Sequence, residues 1–414
     1  MNAAQPTRFL IGLSVRSGGG AIDCAIVRIS GIGLGLTPVV VAAVSYPMPG
    51  QLSDWLTRIV QHPDAVSTRH LAWCQRLLGE VCAAAILQTI EQTRLTPDAF
   101  QAVGLFDFLA WRDADTRGST VFELGSAAIV ADRTGLTTIS DFRASAAAQG
   151  GYAGSITAMA DALLLSHPLQ ARTLLRLGGT ATVTYLPPGQ SPQEPTVHEI
   201  APCNRLLDGF IYRLTNGQQR QDTGGVFAVQ GQCLTELLER WLDHPVLNRR
   251  GPIQLGSNDF GSAFIEQAIH DARALGSSMH DLLCTVNHFI ARAISRAIAT
   301  RLPYPLAEQR VWLDGGSVRN GLLVRLLADQ LGEQTIGRLY ELGIPADARR
   351  PAQAAILAAL LLDGVFLSHE GVTGTRRGRR LLGRITPAST GNWSQCLAWQ
   401  SQHHASLSRF GKAS

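Results

Sequence analysis

The chain runs to 414 residues, 45% of them hydrophobic and only 16% charged, with 41 glycines scattered along its length. That composition excludes a disordered, collagen-like or coiled-coil chain and leaves room for two or three domains of roughly 150 residues each, every one with its own core. A net charge of +4, with no basic stripe through the middle, gives no footing for a nucleic-acid partner.

The opening MNAAQPTRFLIGLSV lacks the basic start, apolar stretch and cleavage site of a secretion signal. The longest apolar run, Ala354 to Leu362, falls well short of the roughly 20 residues that span a membrane. Seven cysteines without a CxxC pair read as reduced core thiols, and the His403–His404 pair has no spaced third ligand. The expectation is a cytoplasmic α/β protein with no protein-built metal site and no membrane partner.

The first strand is predicted at Phe9 to Ser14, the second at Ala21 to Ser30 and the third at Pro38 to Tyr46, with glycine turns between them. Helices follow at Leu52 to Val60 and Leu71 to Gln92. The second of these carries Leu77, Leu78, Val81, Cys82 and Ala85 at helical spacing. A strand at Ala102 to Ala110 is continued by Phe122 to Leu124, and Ala127 to Thr134 reads as a short helix. The pattern then restarts with strands at Leu174 to Gly178, Thr182 to Pro187 and Val197 to Ala201, and a helix at Asn204 to Leu214. Further helices are expected at Leu234 to Leu242, Ala263 to Ala274 and Met279 to Leu302. Val311 to Gly316 is a strand that turns through glycines into a helix starting near Ser317, and Ala352 to Leu367 is the last helix. The tail, with its RRGRR run at Arg376 to Arg380, reads as peripheral.

Two halves that both open strand, glycine turn, strand, strand, helix form a weak internal repeat, which suggests two similar lobes with a ligand cleft between them. Three glycine turns stand out: Arg16 to Ile22, Leu177 to Thr182 and Asp314 to Asn320. Glycine lets backbone N–H groups approach a phosphate closely, and a helix N-terminus beside the third turn favours an anion. Singly, each is also an ordinary tight turn.

Several stretches carry a more specific signal. LGSAAIVADRTGLTTISDFR (Leu124 to Arg143), LRLGGTATVTYLP (Leu175 to Pro187), APCNRLLDGF (Ala201 to Phe210), LDGGSVRNGLLVRLL (Leu313 to Leu327) and ELGIPADARRPAQAAILA (Glu341 to Ala358) resemble the anhydro-N-acetylmuramic acid kinase family. The resemblance runs over roughly residues 10 to 375. It implies an α/β fold of two actin-like, RNase H-like lobes, with residues 1–170 and 171–375 as the lobes and 376–414 as a basic tail. It also implies ATP and Mg²⁺ as cofactors and an amino sugar as substrate; a homodimer is one assembly open to the chain, which the sequence does not fix. Family members transfer the ATP γ-phosphate to the 6-hydroxyl of the anhydro sugar while water opens its 1,6-anhydro bridge, a step of cell-wall recycling.

Carried onto this sequence, the resemblance makes Glu199 the carboxylate base. Ser17, Gly18, Gly19, Gly20, Gly178, Gly179, Gly315, Gly316 and Ser317 become the nucleotide frame, and Arg143 and Asn204 the sugar contacts. From the residues alone, Arg143 could equally form a salt bridge to a carboxylate such as Asp141.

The polar motifs depart from the family. Its SGTSLDG loop falls on Val15 to Ala21, which loses the acid and places Arg16 in the loop, where it could pair with phosphate directly. HGQT becomes Phe106, Asp107, Phe108 and Leu109; GGQGAP becomes Gly150 to Ser155; KSTGRE becomes Ile253 to Asn258. The family's base is an Asp where Glu199 stands, and a Glu of the last helix is replaced by Arg350. An extra methylene shifts the carboxylate, and misplacement by about 1 Å can cost on the order of 10² in rate. Two readings follow: a kinase of the anhydro sugar with an impaired site, or a pseudokinase that binds or regulates on the same scaffold.

Overall fold

A computed structural model of the chain describes residues 5–115, 118–148, 156–189, 195–248, 255–256, 259–302, 310–332, 336–345, 347–367 and 381–410. The contacts divide the chain into two units. The first comprises Met1–Gln170, Pro187–Pro195 and Gly343–Ser414, and the second Ala171–Leu186 and Thr196–Leu342. Residues 343–375, expected in the C-terminal lobe, therefore fall in the first unit.

The first unit opens with β1 (Thr7–Val15), β2 (Ala21–Ser30) and β3 (Thr37–Pro47), an antiparallel meander. Helices α1 (Gly50–Gln61) and α2 (Thr68–Glu91) follow, and α2 turns Leu78, Cys82, Ile86 and Ile90 into the core formed with Ile11, Leu13, Ile22 and Ile26. Next, β4 (Phe100–Phe106) lies parallel to β1. The predicted strand Ala102 to Ala110 breaks at Asp107. Beyond it β5 (Phe108–Asp115) pairs antiparallel with β6 (Gly118–Leu124) in a separate two-stranded sheet. Helix α3 (Ala127–Thr134) is capped by Ser126, whose hydroxyl accepts from the Ile129 N–H, and ends on Gly135 in the left-handed region. β7 (Thr138–Ser140) then pairs parallel with β4 and leads to α4 (Phe142–Ala148) and α5 (Ala158–Leu165).

In the second unit β8 (Arg172–Leu177), β9 (Thr180–Leu186) and β10 (Thr196–Pro202) again form an antiparallel meander. They are followed by α6 (Asn204–Leu214), α7 (Thr235–Leu242), α8 (Ser262–Ala274) and α9 (Met279–Arg301). Ser278 and Asp281 close a reciprocal capping box at the start of α9, whose apolar face is the centre of this unit's core. β11 (Val311–Asp314) lies parallel to β8, α10 (Gly321–Leu331) follows, and β12 (Ile336–Arg338) lies parallel to β11. The predicted helix start at Ser317 is instead a short 3-10 turn, Gly316–Arg319. Asn320 caps α10 by accepting from the Leu323 N–H.

The chain finishes in the first unit. Helix α11 (Arg349–Leu362) packs on β1, β4 and β2. β13 (Arg384–Thr386) then pairs antiparallel with β7, and α12 (Thr390–Phe410) packs against β4. The described part of the tail is thus built into the fold rather than peripheral. Asn392 accepts from the Thr137 N–H, the Cys396 thiol donates to the Gln101 carbonyl, and the Trp399 indole N–H donates to Asp363. The Arg376 to Arg380 run lies outside the described residues.

The two large sheets run β3-β2-β1-β4-β7-β13 and β10-β9-β8-β11-β12. Each is a three-strand antiparallel meander whose first strand continues into parallel neighbours. This is the actin-like, RNase H-like arrangement twice over, and β1 and β8 belong to different sheets. No described helix is long and apolar enough to cross a membrane.

Candidate functional site

The β1–β2 turn is closed by the Arg16 N–H donating to the Ala21 carbonyl and the Gly19 N–H to the Arg16 carbonyl. Gly19, at φ 67°, is structural: a Cβ there would stand 2.8 Å from Leu56 Cβ. Ser17, Gly18 and Gly20 are exposed, and a Cβ at Gly18 or Gly20 would meet nothing within 4 Å. Arg16 is not loose. Its Nε and Nη2 donate to the two oxygens of Asp23 at 2.8 and 2.7 Å, and Nη2 also donates to Asp347 at 2.6 Å and to Ser45 at 3.1 Å. The hydrogen bond to Asp23 contributes most to a guanidinium pKa held above its ordinary value.

Also in the first unit, Arg143 is buried and ion-paired with Glu123, not with Asp141. Asp141, whose own φ is 56°, pairs with Arg384 at 2.7 Å. The Arg143 guanidinium sits 5.0 Å from the centroid of the Phe106 ring and Arg350 sits 4.5 Å from the same centroid. Asp107 is buried, its carbonyl accepts from Arg143 Nη1 at 3.3 Å, and its Oδ1 is pressed against Gly125: a Cβ on that glycine would stand 1.6 Å away. Burial, then repulsion from Glu123 and Asp141, pushes Asp107 well above the ordinary carboxylate range and favours its neutral form.

The second unit gathers most of the expected nucleotide frame. The N–H groups of Asn204 and Arg205 donate to the Gly178 and Gly179 carbonyls, which spends two of the donors at the start of α6. Asn204 accepts from the Ser317 hydroxyl, and its amide nitrogen lies 3.0 Å from where a Gly316 Cβ would stand. Gly315, at φ 98°, brings the third turn against β8: its Cβ would meet the Leu177 carbonyl oxygen at 2.5 Å. Gly178, Gly179, Asn204, Gly315, Gly316 and Ser317 are therefore one cluster, with Asn204 on the glycine turns. Burial pushes the neighbouring Cys203 thiol up to about 12, so it stays protonated.

Glu199 lies within β10, beside a register irregularity opposite β9, and is only 6% exposed. Its Oε2 accepts the Leu255 N–H at 2.9 Å. Glu199 is therefore a buried carboxylate inside the strand, not a solvated one at its end.

The motif at Gly150 to Ser155 lies outside the described residues, as does that at Ile253 to Asn258 apart from Leu255 and Gly256. Sequence reasoning missed Glu123 as the partner of Arg143. The available signal was an acid set between Phe122 and Leu124 in an otherwise apolar run. It also missed that Asp347, next to a helix start, reaches Arg16. Among the described residues no group of three or more His, Cys, Asp or Glu side chains is placed to hold a metal ion.

Among solved structures, the activator of the 2-hydroxyisocaproyl-CoA dehydratase from Clostridium difficile with bound ADPNP aligns over 85% of this chain and 95% of its own. Its TM-score is 0.40 and its identity 14%. An anhydro-N-acetylmuramic acid kinase of Rippkaea orientalis is 31% identical over 387 residues, covering 91% of this chain and 99% of the relative. One from a Cyanothece strain is 30% identical, covering 91% and 98%. A family model described as anhydro-N-acetylmuramic acid kinase matches residues 8–388. The chain belongs to the anhydro-N-acetylmuramic acid kinase family.

Proposed function

We propose that this chain binds ATP and an anhydro-N-acetylmuramic acid type sugar in the cytoplasm and transfers phosphate between them far more slowly than an ordinary sugar kinase. Glu199 carries the reading. As the base, it would take a proton from the water that opens the 1,6-anhydro bridge. Here the carboxylate is buried, one methylene longer than the family's Asp, and already takes the Leu255 N–H. General-base catalysis contributes roughly 10² to 10⁴ in rate, so a displaced base accounts for a large loss.

The nucleotide side is better supported. Ser17, Gly18 and Gly20 offer an exposed turn with open space over both glycines, and the Gly178–Asn204–Gly315–Ser317 cluster keeps its packing. Arg143 favours a second reading, a pseudokinase. The arginine that would face the sugar is committed to Glu123, which weakens sugar recognition itself.

The test is ADP formation from Mg-ATP with and without the anhydro sugar, beside calorimetry of each ligand. Slow, sugar-dependent ADP formation that disappears in Glu199→Gln supports the impaired kinase. Absent ADP formation, with or without nucleotide bound, selects the pseudokinase, and no heat from millimolar nucleotide removes the impaired kinase.

A further inference from the structure

We propose that Arg16 is a built-in cation which takes the place of a divalent metal ion between Asp23 and Asp347. The two carboxylates come from distant parts of the chain, one on β2 and one two residues before α11, and they converge on a single guanidinium. Three charge-assisted bonds of 2.6 to 2.8 Å occupy them, and the Ser45 hydroxyl, 3.1 Å from the same Nη2, accepts a fourth by sharing one of that nitrogen's two hydrogens. Two acids facing one another need a positive charge between them. A guanidinium supplies it permanently, because arginine does not deprotonate in proteins.

A magnesium ion does not fit this arrangement. It requires oxygen ligands at about 2.0–2.1 Å in near-octahedral geometry, and three of the four carboxylate oxygens of Asp23 and Asp347 already accept N–H bonds from Arg16. Entering the site would mean displacing Arg16 or standing beside it, with like charges in contact. The side chain of Asp23 is 8% exposed, so that carboxylate has little freedom to swing away and serve a metal alone. Nη1 of Arg16 makes none of these four bonds. Resting on the proposed nucleotide binding, phosphate at this turn would meet a fixed guanidinium edge rather than a metal held by Asp23 and Asp347.

Manganese titration of the full chain, without nucleotide or sugar and followed by electron paramagnetic resonance of free Mn²⁺, tests the assignment independently of any kinase assay. Wild-type protein should take up no Mn²⁺ at this pair. Arg16→Met should expose the two carboxylates and bind one Mn²⁺ at least tenfold more tightly than wild type, and adding Asp347→Asn should abolish that gain. Arg16→Gln carries the same expectation should the Met variant fail to fold. Wild-type Mn²⁺ binding that weakens in Asp347→Asn overturns the proposal, and so does a folded Arg16 variant that binds Mn²⁺ no better than wild type. Loss of the kinase reading would show as absent ADP formation and would leave these titrations unchanged.

Discussion

The carbonyl oxygen of Pro351 stands 1.7 Å from the place a Cβ on Gly12 would occupy. Gly104 meets the Ala354 carbonyl in the same way, at 2.1 Å. Helix α11 thus lies directly on the backbones of β1 and β4, and only glycine on each strand permits that approach. Gly12→Ala should push the helix off the sheet and cost about 3 kcal/mol or more, an overpacking penalty at the upper end of the usual range. Chemical denaturation measures it, with Gly18→Ala as a control expected within about 0.5 kcal/mol because its Cβ enters open space.

A buried ion pair anchors the same helix. Arg349 meets Asp161 through two bonds of 2.8 Å, with side-chain exposures of 2% and 1%, and Gln353 donates to the same carboxylate at 2.6 Å. Asp161→Ala would leave an uncompensated guanidinium in the core and should destabilise the fold by about 3–5 kcal/mol. Asp161→Asn, which keeps an acceptor, should lose less. Urea midpoints of the two variants, at an unchanged m-value, are the check.

Asp208, on α6, should leave a mark on the pH dependence of stability. Burial pushes it up to about 7 from an ordinary 3.8. The folded chain then holds this proton to higher pH than the unfolded chain, so its contribution to stability declines as pH rises between about 4 and 7 and is flat beyond. Asp208→Asn should remove that decline, at most about 1.4 kcal/mol per pH unit, and leave the variant relatively more stable above pH 7. Parallel slopes for wild type and variant across this window would refute it.

Gly18 and Gly20 separate binding from folding. A valine at either site enters open space, so melting temperature should hold, while the bulk over the turn should weaken ATP binding at least tenfold by calorimetry. Gly19→Val should instead unfold the turn, since φ 67° and the Leu56 side chain both oppose it. Unchanged nucleotide affinity in both exposed-site variants would remove Ser17 to Gly20 from the nucleotide frame.

Where local pattern and tertiary packing agree, elements were legible from sequence. Helices α3 and α6 fall on the predicted residues because their apolar spacing is local, and α3 adds a local cap at Ser126. The start of α11 lies three residues before the predicted Ala352 because the apolar run begins only there, while Arg349 is buried by a partner 188 positions away. Helix α12 docks through Asn392, Cys396 and Trp399, one face made of hydrogen bonds rather than an apolar stripe, and hydrophobic periodicity does not register such a face. In the site, the glycines were readable, since turn geometry demands them. The partners of Arg16 and Arg143 were not, because charge pairing across the chain leaves no local trace.

The central claim, weakened phosphotransfer on a retained scaffold, is tested most directly by kcat/KM for the anhydro sugar under saturating Mg-ATP, measured beside the Rippkaea orientalis relative. A value at least 100-fold below the relative's, with Glu199→Asp moving it upward, is the expected result. A value within tenfold of the relative's would contradict the account and make Glu199 a fully competent base.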